Sequence, residues 1–168
     1  RLEVTNIDGR DVDAAVGDTA TVLSQVTVRG EIRNTTGELV TDFDGTIYPT
    51  VYDREMKCHT RANDNPGTEV AFCQQKNVLY RGAVPVTGGR FEYTFTVPRD
   101  VAYQYAPGKL SHYAVSGYEH AAGSYKNLYF GGLNEDVVIS ETRPQIALYL
   151  GDENFRNGGI TDASPMLV

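Results

Sequence analysis

Apolar and polar residues alternate along most of this chain. From Thr19 to Arg33, Val22, Val26, Val28 and Ile32 share one face, and Gln25, Thr27, Arg29, Glu31 and Arg33 share the other. A period of two sends side chains to alternate faces of an extended chain, so the segment predicts one long half-buried strand. The polar turn Asn34-Thr35-Thr36-Gly37 ends it. Thr46 to Asp53 repeats the pattern, with Tyr48 and Tyr52 opposite Ile47 and Val51. Pro49 gives no ladder donor, which predicts an edge strand or a bulge there. Ala83 to Val97 reads as a hairpin: Ala83–Val86 meets Arg90–Val97 across Thr87-Gly88-Gly89. Phe91, Tyr93, Phe95 and Val97 fall on its buried face, and Glu92, Thr94 and Thr96 face water. Lys109–Ser116 is a further strand and Ser124–Phe130 a weaker one.

About eight short strands, frequent turn signals and no helical stripe predict an all-β fold, an antiparallel immunoglobulin-like β-sandwich. A barrel is the alternative, less suited to strands with one apolar face and connections of uneven length. Residues 1–132 form the sandwich domain in this reading. An acidic, polar linker follows over 133–144, closed by Pro144. Residues 145–168, with Ile146-Ala147-Leu148-Tyr149-Leu150, then open a second β module. The chain begins Arg1-Leu2-Glu3-Val4, strand-like from its first residue, and is expected to be a piece of a larger protein.

Composition narrows the partners. With 22 acidic and 15 basic residues the net charge is -7, which argues against nucleic acid and anionic membranes. No apolar run is long enough for a membrane span, so direct membrane insertion is not expected.

Candidate chemistry is sparse. Cys58 and His59 are neighbours and point to opposite faces of a strand, so they cannot form a dyad. Cys73 lies in no nucleophile motif. Cys58 and Cys73 flank the polar turn Arg61–Gly67, and two strands joined there would place them opposite each other as a disulfide. Such a bridge would contribute about 3 kcal/mol and imply an oxidising compartment. The alternative is a pair of free buried thiols. The histidines His59, His112 and His120 have no zinc-ligand spacing. Asp8, Asp11, Asp13, Asp42 and Asp44 sit beside turns without the spacing of a calcium loop, and solvated turn carboxylates are the plainer reading. No cofactor is called for. Tyr103 and Tyr105, in the loop after Pro98, and Tyr118 are the candidate partner or ligand contacts. Tyr113 reads instead as a corner residue bonding the backbone. The absence of Trp weakens the case for sugars.

The order of segments carries a resemblance. Val26–Ile32 is followed by Phe43-Asp44-Gly45-Thr46-Ile47-Tyr48-Pro49-Thr50-Val51-Tyr52-Asp53, then Asn77–Gly82 and Arg90–Phe95. Val97-Pro98-Arg99-Asp100-Val101, Tyr103-Gln104-Tyr105 and Gly108-Lys109-Leu110-Ser111 come next, and Ile146–Leu150, Phe155 and Gly158-Gly159 later. This series resembles the region after the catalytic domain in sortases of the type IX secretion system, gingipain-related cysteine peptidases of the Bacteroidetes cell surface. The family's catalytic His and Cys motifs are absent, so no catalytic role passes to Cys58, Cys73 or any histidine. His112 departs from the resemblance, standing where a more apolar residue is expected.

The resemblance implies a parent enzyme that removes the C-terminal sorting domain of secreted cargo and joins the cargo to anionic lipopolysaccharide. This chain would be a non-catalytic sandwich in it, extracytoplasmic and associated with the outer membrane at the cell surface. Its partners would be the upstream catalytic domain, and cargo C-terminal domains or other attachment-complex proteins. The alternative is a carbohydrate-binding module using the Tyr-rich loops.

Overall fold

The computed structural model describes residues 1–13, 15–63, 67–101 and 104–133. The chain divides into two compact units, Arg1–Val137 and Val138–Val168, and all described strands lie in the first. Apart from Leu133, the expected linker over 133–144 and the strand after it lie outside the described residues, as does Tyr103.

The described residues form fourteen strands and no helix. In chain order, β1 (Leu2–Ile7), β2 (Arg10–Asp11), β3 (Asp18–Val22), β4 (Gln25–Ile32) and β5 (Gly45–Tyr52) come first. They are followed by β6 (Met56–His59), β7 (Ala71–Gln74), β8 (Val78–Arg81), β9 (Val84–Val86) and β10 (Arg90–Thr96). The last are β11 (Ala106–Pro107), β12 (Lys109–Ser116), β13 (Glu119–Tyr125) and β14 (Leu128–Leu133). One sheet runs β10-β4-β1-β2; a second runs β13-β12-β5-β8, with β9 also paired to β5. A small sheet, β11-β14-β3, holds the one parallel pair among the described strands, β14 with β3. Strands β6 and β7 form a separate two-stranded ribbon. The result is the predicted all-β sandwich of antiparallel sheets, not a closed barrel.

The core follows from the alternation. Val26, Val28 and Ile32 on β4, and Phe91, Tyr93 and Phe95 on β10, point inward from the first sheet. Ile47, Val51, Leu110 and Ala114 point inward from the second, and Leu128 and Phe130 close the end from β14. Aromatic contacts bind the layers, among them Phe95 edge-on to Phe130 with ring centroids 6.3 Å apart.

Three sequence expectations are revised. The long strand over Thr19–Arg33 is two strands in two sheets. Leu23 takes φ 64°, a conformation a strand cannot hold, and the chain crosses there from β3 to β4. Both halves still bury their valines because both sheets face one core. The expected hairpin Ala83–Val97 also divides. β10 pairs with β4 while β9 pairs with β5, so its two arms enter opposite sheets. The turn itself forms as predicted. Thr87 and Arg90 exchange backbone hydrogen bonds of 3.0 Å around Gly88 and Gly89, at φ 56° and 71°. Finally, Pro49 lies in a central strand and is fully buried. It sits where β9 ends and β8 begins along β5, and its carbonyl accepts from Gly82 N at 3.2 Å. Its missing N–H therefore points at a break in the ladder, not at a partner.

Candidate functional site

The residues that carry chemistry are scattered. Cys58 and Cys73 lie on the β6–β7 ribbon, where Cys58 pairs with Phe72 and Cys73 with Lys57. That register is one residue off the expected one. Adjacent residues face opposite ways, so the thiols lie on opposite sides of the ribbon. Both are free, Cys58 half-buried and Cys73 exposed, and the expected disulfide is not formed. Asp53 anchors the ribbon's base: its carboxylate accepts from Arg54 N at 2.8 Å and from Asn77 Nδ2 at 3.2 Å.

His59 ends β6 on the same ribbon, paired with Ala71 and bonded to neither thiol, and the other two histidines are elsewhere. His112 points into the core from β12, and its Nε2 lies 2.7 Å from the Tyr93 hydroxyl of the facing sheet. Its Nδ1 is buried without a hydrogen-bond partner. Burial lowers its pKa to about 4, so the ring is neutral near pH 7. Burial also raises the Tyr93 hydroxyl pKa, with the nearby Tyr80 adding to it. His120 is a surface residue whose Nδ1 lies 2.8 Å from the Tyr113 hydroxyl. Tyr113 therefore bonds a side chain rather than backbone and is half-exposed, which corrects its reading as a corner residue. Among the described residues neither thiol bonds an imidazole, and no cluster of three metal-ligating side chains occurs. Asp8 and Asp44 accept backbone amides of Thr27 and Gly88, each at 2.7 Å, and so brace loops. Asp18 is buried, with Arg10 at 3.6 Å and the Tyr125 hydroxyl at 3.2 Å. Burial and the Asp18 charge raise the Tyr125 pKa to about 12.

The candidate contact tyrosines do not converge. Tyr105 precedes β12 and Tyr118 follows it, so the full strand separates them, about 26 Å at the usual rise. Both are exposed.

What the structure gathers instead are two outer faces of contrasting chemistry. Outward from the β10-β4-β1-β2 sheet stands an ion-pair ladder. Arg1 and Arg33 flank Glu3 at 2.7 and 3.4 Å, Arg33 and Arg90 flank Glu31 at 2.8 and 3.2 Å, and Arg29 pairs with Glu92. A groove of about 530 Å³ runs over this ladder, but its charges are already paired. Outward from the β13-β12-β5-β8 sheet the side chains are hydroxyls and aromatics. Tyr48 pairs directly with Tyr113, and Lys109 with Tyr52. Tyr113 stacks on His120 with centroids 5.8 Å apart, and Lys109 Nζ lies 5.0 Å from the Tyr52 ring centre. The sequence reading put Tyr48 and Tyr52 on one face of a strand but did not bring Tyr113, His120 or Lys109 to it. The available signal was their shared parity: Lys109 and Tyr113 alternate with the inward Leu110, His112 and Ala114.

No protein-family model matches the chain, and no curated protein matches it. A solved structure does. The crystal structure of dimeric latent PorU from Porphyromonas gingivalis aligns with 93% of this chain at a TM-score of 0.70 and 28% sequence identity. The aligned part is 15% of that much longer chain. Over almost its whole length, then, this chain is similar in fold and sequence to one segment of PorU.

Proposed function

We propose that this chain is a non-catalytic β-sandwich domain of a type IX sortase-like cysteine peptidase. It braces the catalytic domain and contacts protein partners or cargo, at the cell surface in association with the outer membrane. The observation that carries this is likeness to a PorU segment along nearly the whole chain, at 28% identity and a TM-score of 0.70. That no thiol bonds an imidazole among the described residues supports a role without chemistry of its own. A nucleophile needs a base within hydrogen-bond reach: His59 shares the cysteines' ribbon but bonds neither thiol, and His112 and His120 sit on other elements, bonded to tyrosines. The carbohydrate-binding alternative loses its support here, because Tyr105 and Tyr118 lie at opposite ends of one strand.

The test has two arms. The chain by itself is expected to cleave no fluorogenic peptide. Cleavage that disappears with Cys73→Ala would sink the reading. In the full-length protein, Val28→Asp should break this domain's core and reduce removal of cargo sorting domains. Unchanged processing despite an unfolded sandwich would show that no brace is needed.

A further inference from the structure

We propose that the outward face of the β13-β12-β5-β8 sheet is the docking surface for another domain of the same longer polypeptide, one that presents carboxylates to it. The inference rests on the reading just given, that the chain is one domain of a larger enzyme.

The two outer faces are asymmetric in charge. Five ion pairs cover the β10-β4-β1-β2 sheet, and such a surface is satisfied in water. The ladder positions of the other face carry no carboxylate, although the chain has 22 acidic residues to 15 basic. Its two cations, Lys109 and Arg81, have no acidic partner among the described residues. Tyr48 and Tyr113 stand side by side there, 49% and 46% exposed. Few acids and several tyrosines are the composition of an interface centre. Tyrosine also offers a large rigid contact at small entropic cost.

The same details choose the occupant. A sugar would need open ring faces and carboxamide or carboxylate groups to hold its hydroxyls. Here His120 already covers one face of Tyr113 and Lys109 one face of Tyr52, and the outward ladder positions include no Asn, Gln, Asp or Glu, Glu119 having the opposite parity at the strand end. An open sheet face of this composition suits a protein. Its mixture of Ser, Thr and Tyr is more polar than the core of an obligate dimer and fits a contact between domains of one chain. In the similar crystal structure the aligned segment is 15% of the chain, which leaves ample polypeptide to supply that contact. Tethering raises the effective concentration of such a partner to the millimolar range. Burying Lys109 and Arg81 requires opposite charge, so the partner surface is acidic.

Photo-cross-linking in the full-length polypeptide tests this. Tyr48→p-benzoylphenylalanine should give an intramolecular cross-link to a peptide outside residues 1–168 that contains Asp or Glu, read by mass spectrometry. The same probe at Thr94, outward on β10, should give none. Lys109→Glu with Arg81→Glu should lower the Tyr48 yield by about fivefold or more. A link from Thr94 alone, a link only to a second copy or to glycan, or no link at Tyr48 overturns the proposal. Sequencing the linked domain separates the two readings. An intramolecular link in a polypeptide that contains no peptidase domain would sink the sortase assignment and leave the docking face standing. A gingipain-like domain left unlinked would do the reverse.

Discussion

His112 concentrates the consequences of burial in one ring. Its parity with Leu110 and Ala114 assigns it inward in the sequence, while its polarity argues against burial. The answer lies across the sandwich, where the Tyr93 hydroxyl meets Nε2 at 2.7 Å, a long-range pairing that no local pattern encodes. With a folded pKa near 4, against about 6.5 unfolded, the unfolded chain binds the proton first as pH falls. This group's contribution to stability is therefore complete above pH 6.5 and lost between about 6.5 and 4. The loss is on the order of 3 kcal/mol. Urea melts at pH 7, 5 and 4 should show it, and His112→Phe should flatten the profile across that window. Tyr93→Phe alone strands the imidazole and should cost about 1–3 kcal/mol. Adding His112→Phe should recover much of that, because a polar pair replaced whole leaves nothing unpaired.

At the level of elements, alternation tells which face a residue takes but not which strand lies beside it. Phe91, Tyr93, Phe95 and Val97 are all buried as their spacing predicts, yet β9 leaves β10 for the other sheet. The joint depends on Gly89. At φ 71°, a Cβ there would run into the Val40 carbonyl. Gly89→Ala should cost several kcal/mol by thermal melting, combining strain and collision. Gly37→Ala, at φ 89° with open space around it, should cost only about 1–2 kcal/mol. The cysteines show the same limit. Their spacing correctly predicts a hairpin, but a shift of one residue reverses the face, and only the register decides between bridge and free thiols. Thiol titration should find two free groups, with Cys73 reacting quickly and the half-buried Cys58 slowly until denaturant is added. Two thiols unreactive under denaturing, non-reducing conditions would contradict this register.

At the scale of the whole fold, the described domain was legible as a class: one-sided strands and turn signals specify a sandwich, and the core residues follow from parity. The contact surface was not legible, because it is assembled from β5, β12 and β13, whose adjacency is a property of the sheet. A joint in the small third sheet governs how the domain is made. Asp18 on β3 pairs with Leu128 on β14, 110 positions later (128 − 18), in the sheet's parallel pair. Closing so long a loop is entropically expensive and is repaid only at the end, which places this fold among the slow folders, in the millisecond-to-second range. During synthesis Ala20 and Val22, buried in the finished domain, stay uncovered until β14 emerges. A nascent chain halted at Gly123 should leave β3 open to protease, and one carried past Leu133 should protect it. Strand β3 is thus secured by β14, the last of the described strands, and the fold is completed late in synthesis.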